Sequence, residues 1–581
     1  MDRCAVLHIP LSQYAFANTE KGMTIRIRVK KKDLVSCTLY YGDRACRKIP
    51  MEFTEVPMKA TAEDDLFEYY EAVFETPFNR VCYYFKLNDG KEWVYYYGDK
   101  FTRELPGITI NHKYMEGRSE YYQYPVILRE EVADVPEWFK NAVVYNIFPD
   151  SFAGGRKFIS GAEQEKVLED NHICHSRLGG TINGIRENLD YIQGLGFDCI
   201  YLNPIFAAGE SHKYDVLDYY HIDPCFGTNE DFRRLVDEIH EKGMHIILDG
   251  VFNHCSWKFF AFEDVVKNGE KSLYKDWFYE LNFPVIRPEN EDIKPDYACF
   301  AYERKMPKFN TSNQKVQEYF TGVCRYWIRE YHIDGWRLDV ANEAARSFWR
   351  AFRQAAKEEN PESVLIGEVW ENAETWLKGD IFDSTMNYEF RNLCRDFFAL
   401  GKIEAGTFSF RMNQMLLRYP DNLRDGQLNL LDSHDVPRFL SVCGDDERRF
   451  RLSVLFLMLS PGVPSLFYGD EMGIKGIEER EYRSPMEWGS ANESLRSFVT
   501  QVIKLRKDYI DYHSRYSYCP AESGSRLFGF MRKGEKGNIL VYLNAGEKEE
   551  NLPVTEKYRI FMEDGIEAGR IKAWGYGVYS F

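Results

Sequence analysis

The sequence predicts an α/β fold: a (β/α)8 TIM barrel with a subdomain inserted after its third strand and a β-sandwich domain on either side. Three observations carry this. Residues 1–122 read as β throughout, helix-then-strand units repeat from 123 to 505, and the β pattern returns over 506–581. At 581 residues the chain is also too long for one hydrophobic core, so size alone calls for several domains.

In the N-terminal part, MTIRIRVKK sets Ile25, Ile27 and Val29 against Arg26 and Arg28, the alternation of a half-buried strand. CYYFKLNDGKEWVYYYG places Asp89-Gly90 between two aromatic-rich runs, which reads as a hairpin. No helical pattern interrupts, so a small β-sandwich is predicted. The run Lys30-Lys31-Lys32 is read as a solvated strand end.

From Trp138 onward the rhythm changes. TINGIRENLDYIQGLG carries Ile185, Leu189, Ile192 and Leu195 at helical spacing, stops at Gly196 and leads into FDCIYLNP. TNEDFRRLVDEIHEKG begins at Thr228 as N-cap, has Phe232, Leu235, Val236 and Ile239 as its stripe, and ends at Gly243 before MHIILD. Two further helices, SNQKVQEYFTGVCRYWIREYH and RSFWRAFRQAAKEENPES, feed IDGWRLDV and VLIGEVW. With AVVYNIFP, DSTMN, QLNLLDS and VPSLFYG this makes eight strands. They are nearly all apolar, as parallel strands covered by helices should be. Eight favours a closed barrel, and no glycine-rich nucleotide turn follows the first strand. Residues 255–312 break the rhythm, rich in aromatics, prolines and charge, and read as a rim subdomain. Beyond residue 505, RLFGFMRKGEKGNILVYLN and IKAWGYGVYSF predict the second sandwich.

Composition excludes several functions. A formal charge of −17 repels phosphate backbones and anionic lipid, so neither nucleic acid nor membrane is an expected partner. The start, MDRCAVLHIPLSQYAF, has no apolar leader, and no run reaches transmembrane length. Thirteen cysteines, an odd number without a CxxC pair, fit reduced thiols and a cytoplasmic protein. HICH (172–175) has metal-like spacing but no second cluster to complete a tetrahedral set, so no metal and no cofactor are expected.

The barrel's strand ends carry the chemistry. In order they present Asp249, then Arg337 and Asp339, then Glu368, then His434 and Asp435. Residues two apart share a strand face, so Arg337 and Asp339 point the same way, into the end of the barrel where active sites lie. Paired carboxylates without a serine–histidine or thiol nucleophile fit glycosidic bond cleavage, in which one acid stays ionised and another protonated. Arg337 is expected to hold Asp339 ionised, while Val369 and Trp370 give Glu368 an apolar neighbourhood that favours its protonated form. Taken alone, Arg337 and Asp339 also fit a structural ion pair, His254 a core histidine, and Tyr214 ordinary packing among 39 tyrosines. Glu368 and Asp435 at neighbouring strand ends favour the chemical reading.

DGVFNH (249–254), GWRLDVANE (335–343), GEVW (367–370) and DSHD (432–435) resemble the four signature segments of the α-amylase family of glycoside hydrolases, in order. MPKFN (306–310) and VANE (340–343) are similar to its cyclomaltodextrinase, neopullulanase and maltogenic amylase group, whose extra N-terminal, carbohydrate-binding-like domain the first 122 residues also fit. The resemblance implies a retaining hydrolase of α-1,4 and some α-1,6 bonds in cyclodextrins, maltodextrins and pullulan, with some transglycosylation, working as a homodimer. It makes Asp339 the nucleophile, Glu368 the general acid and base, and Asp435 the carboxylate gripping sugar hydroxyls. Arg337 and Asp249 orient the nucleophile; His254, His434 and Arg483 contact the sugar; Tyr214 forms its platform, in a motif that His212 begins. Glu343 and Trp370 fall on the acceptor side. Retention needs the two catalytic carboxyls about 5–5.5 Å apart. The alternatives are a non-catalytic carbohydrate-binding protein on the same barrel, or an α-glucosidase of different linkage specificity.

The sequence departs from the group at three places. Relatives often bind calcium through an acid-rich loop after the first strand and a GGD; here FAGGRKFISG and LGGTING put Lys157 and Thr181 at those positions. Too few oxygen ligands remain for a hard cation, so no calcium is expected there. Glu371 stands where histidine is frequent, and Asp432 where glycine is usual.

Overall fold

A computed structural model describes residues 1–46, 48, 51–106, 118–129, 132–154, 178–290, 292–489, 492–553 and 558–581. HICH and Lys157 lie outside the described residues. The chain forms two compact units: Met1–Asp134 with Leu377–Asp380 and Ala405–Arg424, and Val135–Trp376 with Ile381–Glu404 and Asp425–Phe581.

Two antiparallel sheets build the first unit. One runs Ala15–Ala17, Gly22–Lys30, Phe67–Glu75, Lys59–Glu63; the other runs Thr54–Pro57, Ser36–Asp43, Val81–Asn88, Trp93–Tyr97, Lys100–Thr102, with Tyr122–Tyr124 paired to Val81–Asn88. Their inner faces share one core that includes Met23, Ile25, Ile27, Val29, Leu39 and Phe85, so the sandwich is there. His8 is buried in it, with Nδ1 2.7 Å from the Arg26 carbonyl and Nε2 3.0 Å from the Tyr83 hydroxyl.

The alternation in MTIRIRVKK predicts one wet face, but part of that face is dry: Thr24 and Arg26 are buried as well, while Arg28 is half-buried. The reason lies far along the chain. Helix Ala405–Leu417 and the turn Asp421–Arg424 belong to this unit. Arg26 bonds Glu71 at 2.5 Å, pairs with Asp421, and sits 5.0 Å over the Phe16 ring. Close by, Asn413 donates to the Glu63 carbonyl at 2.9 Å.

The second unit holds a closed barrel of eight parallel strands in chain order: Val144–Ile147, Cys199–Leu202, His245–Gly250, Gly335–Leu338, Val364–Gly367, Ser384–Asn387, Leu428–Leu430 and Val463–Phe467. Seven fall within stretches predicted from the sequence, and the third runs one residue past MHIILD to Gly250. Thr228 caps the helix Asn229–Glu241 through a reciprocal bond with Asp231, as its spacing predicts. The predicted helix after Thr181 breaks at Asn188 into Ile182–Glu187 and Leu189–Leu195, because the Asn188 side chain bonds back to the Gly184 carbonyl at 2.8 Å. Gly196 closes it with φ +102°. Gly335 admits the fifth strand: a Cβ there would lie 2.4 Å from the Val364 carbonyl oxygen.

Between the third strand and helix Gln314–Tyr331, the rim carries helix Phe260–Asn268 and isolated bridges such as His254 to Lys308. A hairpin, Phe206–Ala208 with Val216–Ile222, follows the second strand. The C-terminal residues form one continuous six-stranded antiparallel sheet with a small core of its own, including Leu527, Tyr542 and Ile571. Phe528 and Phe530 meet Phe456 of helix Glu447–Leu459, each at 5.6 Å. Among the described residues no helix is long and apolar enough to cross a membrane.

Replacing Arg26 by Met strands Glu71 and leaves Asp421 to Arg424 at 2.8 Å, and is expected to destabilise the first unit by about 3 kcal/mol, because a buried pair broken on one side leaves charge uncompensated. Urea unfolding followed by fluorescence measures this. Adding Glu71→Leu should recover most of the loss.

Candidate active site

Strand Gly335–Leu338 turns Trp336 outward, onto Phe252 at 5.6 Å and Phe352 at 6.1 Å, and so turns Arg337 inward. Arg337 has no solvent exposure. Its Nη1 donates to both Asp249 oxygens at 3.0 and 3.1 Å and to Asp339 Oδ1 at 2.8 Å. Nη2 lies 2.8 Å from Glu368 Oε1 and 3.8 Å from Asp435 Oδ2, and Nε donates to Met386 Sδ at 3.3 Å. Burial opposes the guanidinium's charge, but Asp249 and Glu368 outweigh it and hold Arg337 firmly protonated.

This network corrects the expected division of labour between the two acids. Burial pushes the Asp339 carboxyl well above its ordinary range; Arg337 pulls the other way, and Glu368, Asp249 and Asp435 add to the push. Arg337 therefore does not by itself keep Asp339 ionised. Glu368 is not in apolar surroundings either: Trp370 Nε1 donates to its Oε1 at 2.9 Å, and the Val340 amide donates to its Oε2 at 2.9 Å. Asp339 Oδ2 is buried and has no hydrogen-bond partner among the described residues.

Val340 delivers its amide at the cost of backbone strain. Its φ is +44°, a left-handed conformation that a β-branched residue rarely adopts. The turn also brings the Ala341 amide to the Glu368 carbonyl at 3.2 Å.

Around the carboxyls lies a second ring of polar groups. Tyr214 Oη donates to Asp249 Oδ2 at 3.1 Å and is bonded to His434 Nε2, and the two rings stack 5.5 Å apart. His434 Nε2 is 3.0 Å from Asp435 Oδ2. Burial works to raise the Asp435 carboxyl, but His434, Arg337 and Arg483 overcome it and hold that carboxyl below the usual range. Arg483 donates to the His434 carbonyl at 2.8 Å and approaches Asp435 at 3.6 Å. His212 Nδ1 accepts the Tyr214 amide at 3.0 Å. Trp370 stacks on Tyr388 at 4.0 Å with half of its surface exposed.

Two of the expected residues are also held by groups outside the carboxyl cluster. His254 stacks on Phe300 at 4.9 Å. Glu343 pairs with Lys308, joining the VANE stretch to MPKFN at the rim. Thr181, at the expected calcium position, caps its helix by accepting the Gly184 amide at 2.9 Å. Among the described residues no group of three or more histidine, cysteine, aspartate or glutamate side chains could hold a metal ion. Asp432 accepts the Phe439 amide at 2.6 Å, and Glu371 accepts from Asn342 at 2.8 Å.

Residues 146–511 match the family model described as the alpha amylase catalytic domain, and residues 1–126 match its N-terminal ig-like domain. The chain belongs to the α-amylase family. It is 40% identical over 552 residues to neopullulanase 2 of Thermoactinomyces vulgaris, covering 94% of this chain and 92% of that one. To a cyclomaltodextrinase of Geobacillus thermopakistaniensis it is 40% identical over 558 residues, covering 95% and 93%. A solved cyclomaltodextrinase structure superposes with a TM-score of 0.90 at 35% identity over 100% of both chains. This α-amylase family member is a glycoside hydrolase.

Sequence reasoning missed Tyr201 and Asn203. Tyr201 Oη donates to Asp249 Oδ2 at 2.6 Å, and Asn203 Nδ2 lies 2.8 Å from His434 Nδ1. They stand two apart at the end of the second strand, the same signal that singles out Arg337 and Asp339, and that signal sufficed to find them. Val340's amide had no such signal, since a backbone donor carries no residue identity.

His8 and His254 are buried and His212 is half-buried, and the loss of water lowers their pKa, to about 4 for His8 and about 3 for His212 and His254. The unfolded chain titrates near ~6.5, so it binds more protons than the native state below that value. The stability they contribute is complete above about pH 6.5 and is lost as pH falls toward 3. Melting temperature should therefore drop between pH 6.5 and 4, while imidazole proton resonances of these three residues stay unshifted down to about pH 5.

Proposed function

We propose that the chain is a retaining α-glucan hydrolase that cuts α-1,4 bonds, and some α-1,6 bonds, in cyclodextrins, maltodextrins and pullulan. The observation that carries this is one buried guanidinium touching Asp249, Asp339 and Glu368 within 3.1 Å, with Asp435 at 3.8 Å. Two acids meeting on one cation are close enough to act on one linkage, which suits retention better than a wide inverting pair. The names of the similar enzymes support the substrate class.

In this reading Asp339 Oδ2, the unpartnered oxygen, attacks the anomeric carbon. Glu368 gives its proton to the leaving glycosidic oxygen, and a covalent glucosyl-enzyme forms. Water then attacks the same carbon, losing a proton to Glu368, and the product leaves as the α-anomer. A sugar hydroxyl in place of water gives transglycosylation. Asp435 and His434 grip ring hydroxyls, Tyr214 lies beneath the ring with His212, His254 and Arg483 about it, and Trp370 and Glu343 face the acceptor. Residues 1–122 cover a partner's site in a homodimer; a stable monomer in sedimentation at micromolar concentration removes that part. The free thiols of the described residues support a cytoplasmic location.

Asp339→Asn should lower kcat by about four orders of magnitude. Glu368→Gln should spare the first step on activated aryl glycosides far more than on maltodextrin. Proton NMR of the first product anomer decides the stereochemistry, and a β-anomer overturns the mechanism. A catalytically silent chain given β-cyclodextrin in a reducing-sugar assay would favour the binding-protein alternative.

A further inference from the structure

The loop that carries His212 and Tyr214 is the tip of the hairpin Phe206–Ala208/Val216–Ile222, whose pairing is interrupted by two register shifts. So broken a ladder does not fix the tip, and charged side chains do so instead. Glu210 pairs with Lys305 of the rim at 2.6 Å, and Asp215 accepts the Glu210 amide at 2.9 Å and the Ser256 hydroxyl at 3.3 Å.

Lys213 is the unusual member. It stands between His212 and Tyr214 with φ +67°, and its Nζ lies 2.8 Å from Asp223 Oδ2, both side chains only 3% exposed. Lysine is seldom buried so deeply unless paired, and the desolvation of such a pair is costly. Asp223 is itself a knot at the hairpin's base. Its carboxylate accepts the Ala208 amide at 3.2 Å and the Cys225 amide at 3.0 Å, and its carbonyl accepts the Phe226 amide at 2.8 Å. Lys213 thus ties tip to base. The left-handed residue sends its own side chain inward while Tyr214, next to it, reaches Asp249 and His434.

We propose that Lys213 is a positioning residue: its buried ion pair with Asp223 holds the left-handed turn that aims Tyr214, and with it His212, at the Asp249–His434 edge of the carboxyl cluster. Lys213 touches no substrate. The inference rests on the reading of Tyr214 as the platform beneath the bound glucose unit.

The test measures kcat/KM on β-cyclodextrin and melting temperature for four variants: Lys213→Met, Lys213→Arg, Lys213→Met/Asp223→Leu and Lys213→Met/Tyr214→Ala, with Tyr214→Ala as reference. Lys213→Met should lower kcat/KM on the order of 100-fold, the scale of a misplaced binding group, and lower the melting temperature by stranding Asp223. Lys213→Arg should restore part of both. In Lys213→Met/Asp223→Leu the melting temperature should recover in part, short of the wild type because the Ala208 and Cys225 amides lose their acceptor, while kcat/KM stays low, a split that a purely stabilising pair does not produce. Lys213→Met should cost nothing further once Tyr214→Ala is present, within about twofold. Full activity in Lys213→Met/Asp223→Leu, or losses that multiply in Lys213→Met/Tyr214→Ala, overturns the proposal. A wild-type chain inactive on β-cyclodextrin overturns instead the function on which it rests.

Discussion

Arg337 carries a full positive charge to a position without solvent contact, and the acids at the strand ends are arranged around that charge. Moving one cation out of water costs several kcal/mol even after the protein relaxes. A single carboxylate would offset it; four overshoot. Burial is the main reason that Asp339 sits above its ordinary range in spite of its 2.8 Å contact with the guanidinium, and the neighbouring Glu368, Asp249 and Asp435 carboxyls add to it. The acids are thus gathered on one cation rather than set in separate polar and apolar pockets.

The backbone contributes as much as the side chains. Val340 accepts a strained conformation and in return its amide holds Glu368 from one side while the Trp370 indole holds it from the other. Gly335, five residues earlier, lets strands four and five approach closely enough for those bonds to form. Strain at 340 persists because the flanking ladder, with the Asp339 amide on the Gly250 carbonyl and the Glu368 amide on the Leu338 carbonyl, over-determines it.

Much of this was legible in the sequence, because barrels couple pattern to place. A strand that is apolar throughout must be buried on both faces, so all eight could be recognised. Any charged residue at such a strand's end has only the barrel mouth to occupy, hence Asp249, Arg337, Glu368 and Asp435. Long-range cover was not legible. Nothing in MTIRIRVKK states that Arg26 meets Asp421, since periodicity describes a strand and not what a distant segment lays over it. The electrostatics of Glu368 were misread for a related reason: its sequence neighbours are apolar, but its spatial neighbours are an arginine, an indole N–H and an amide.

The assignment of Ala405–Arg424 to the first unit has a consequence for biosynthesis. Residues 1–134 leave the ribosome first, yet the surface over Arg26 stays open until residue 424 has been made. At about 5–20 residues per second, that interval lasts on the order of 15–60 seconds. Through it the nascent sandwich holds Arg26 by Glu71 and the Gln13 carbonyl, without Asp421 above it, and its maturation keeps time with the far half of the barrel.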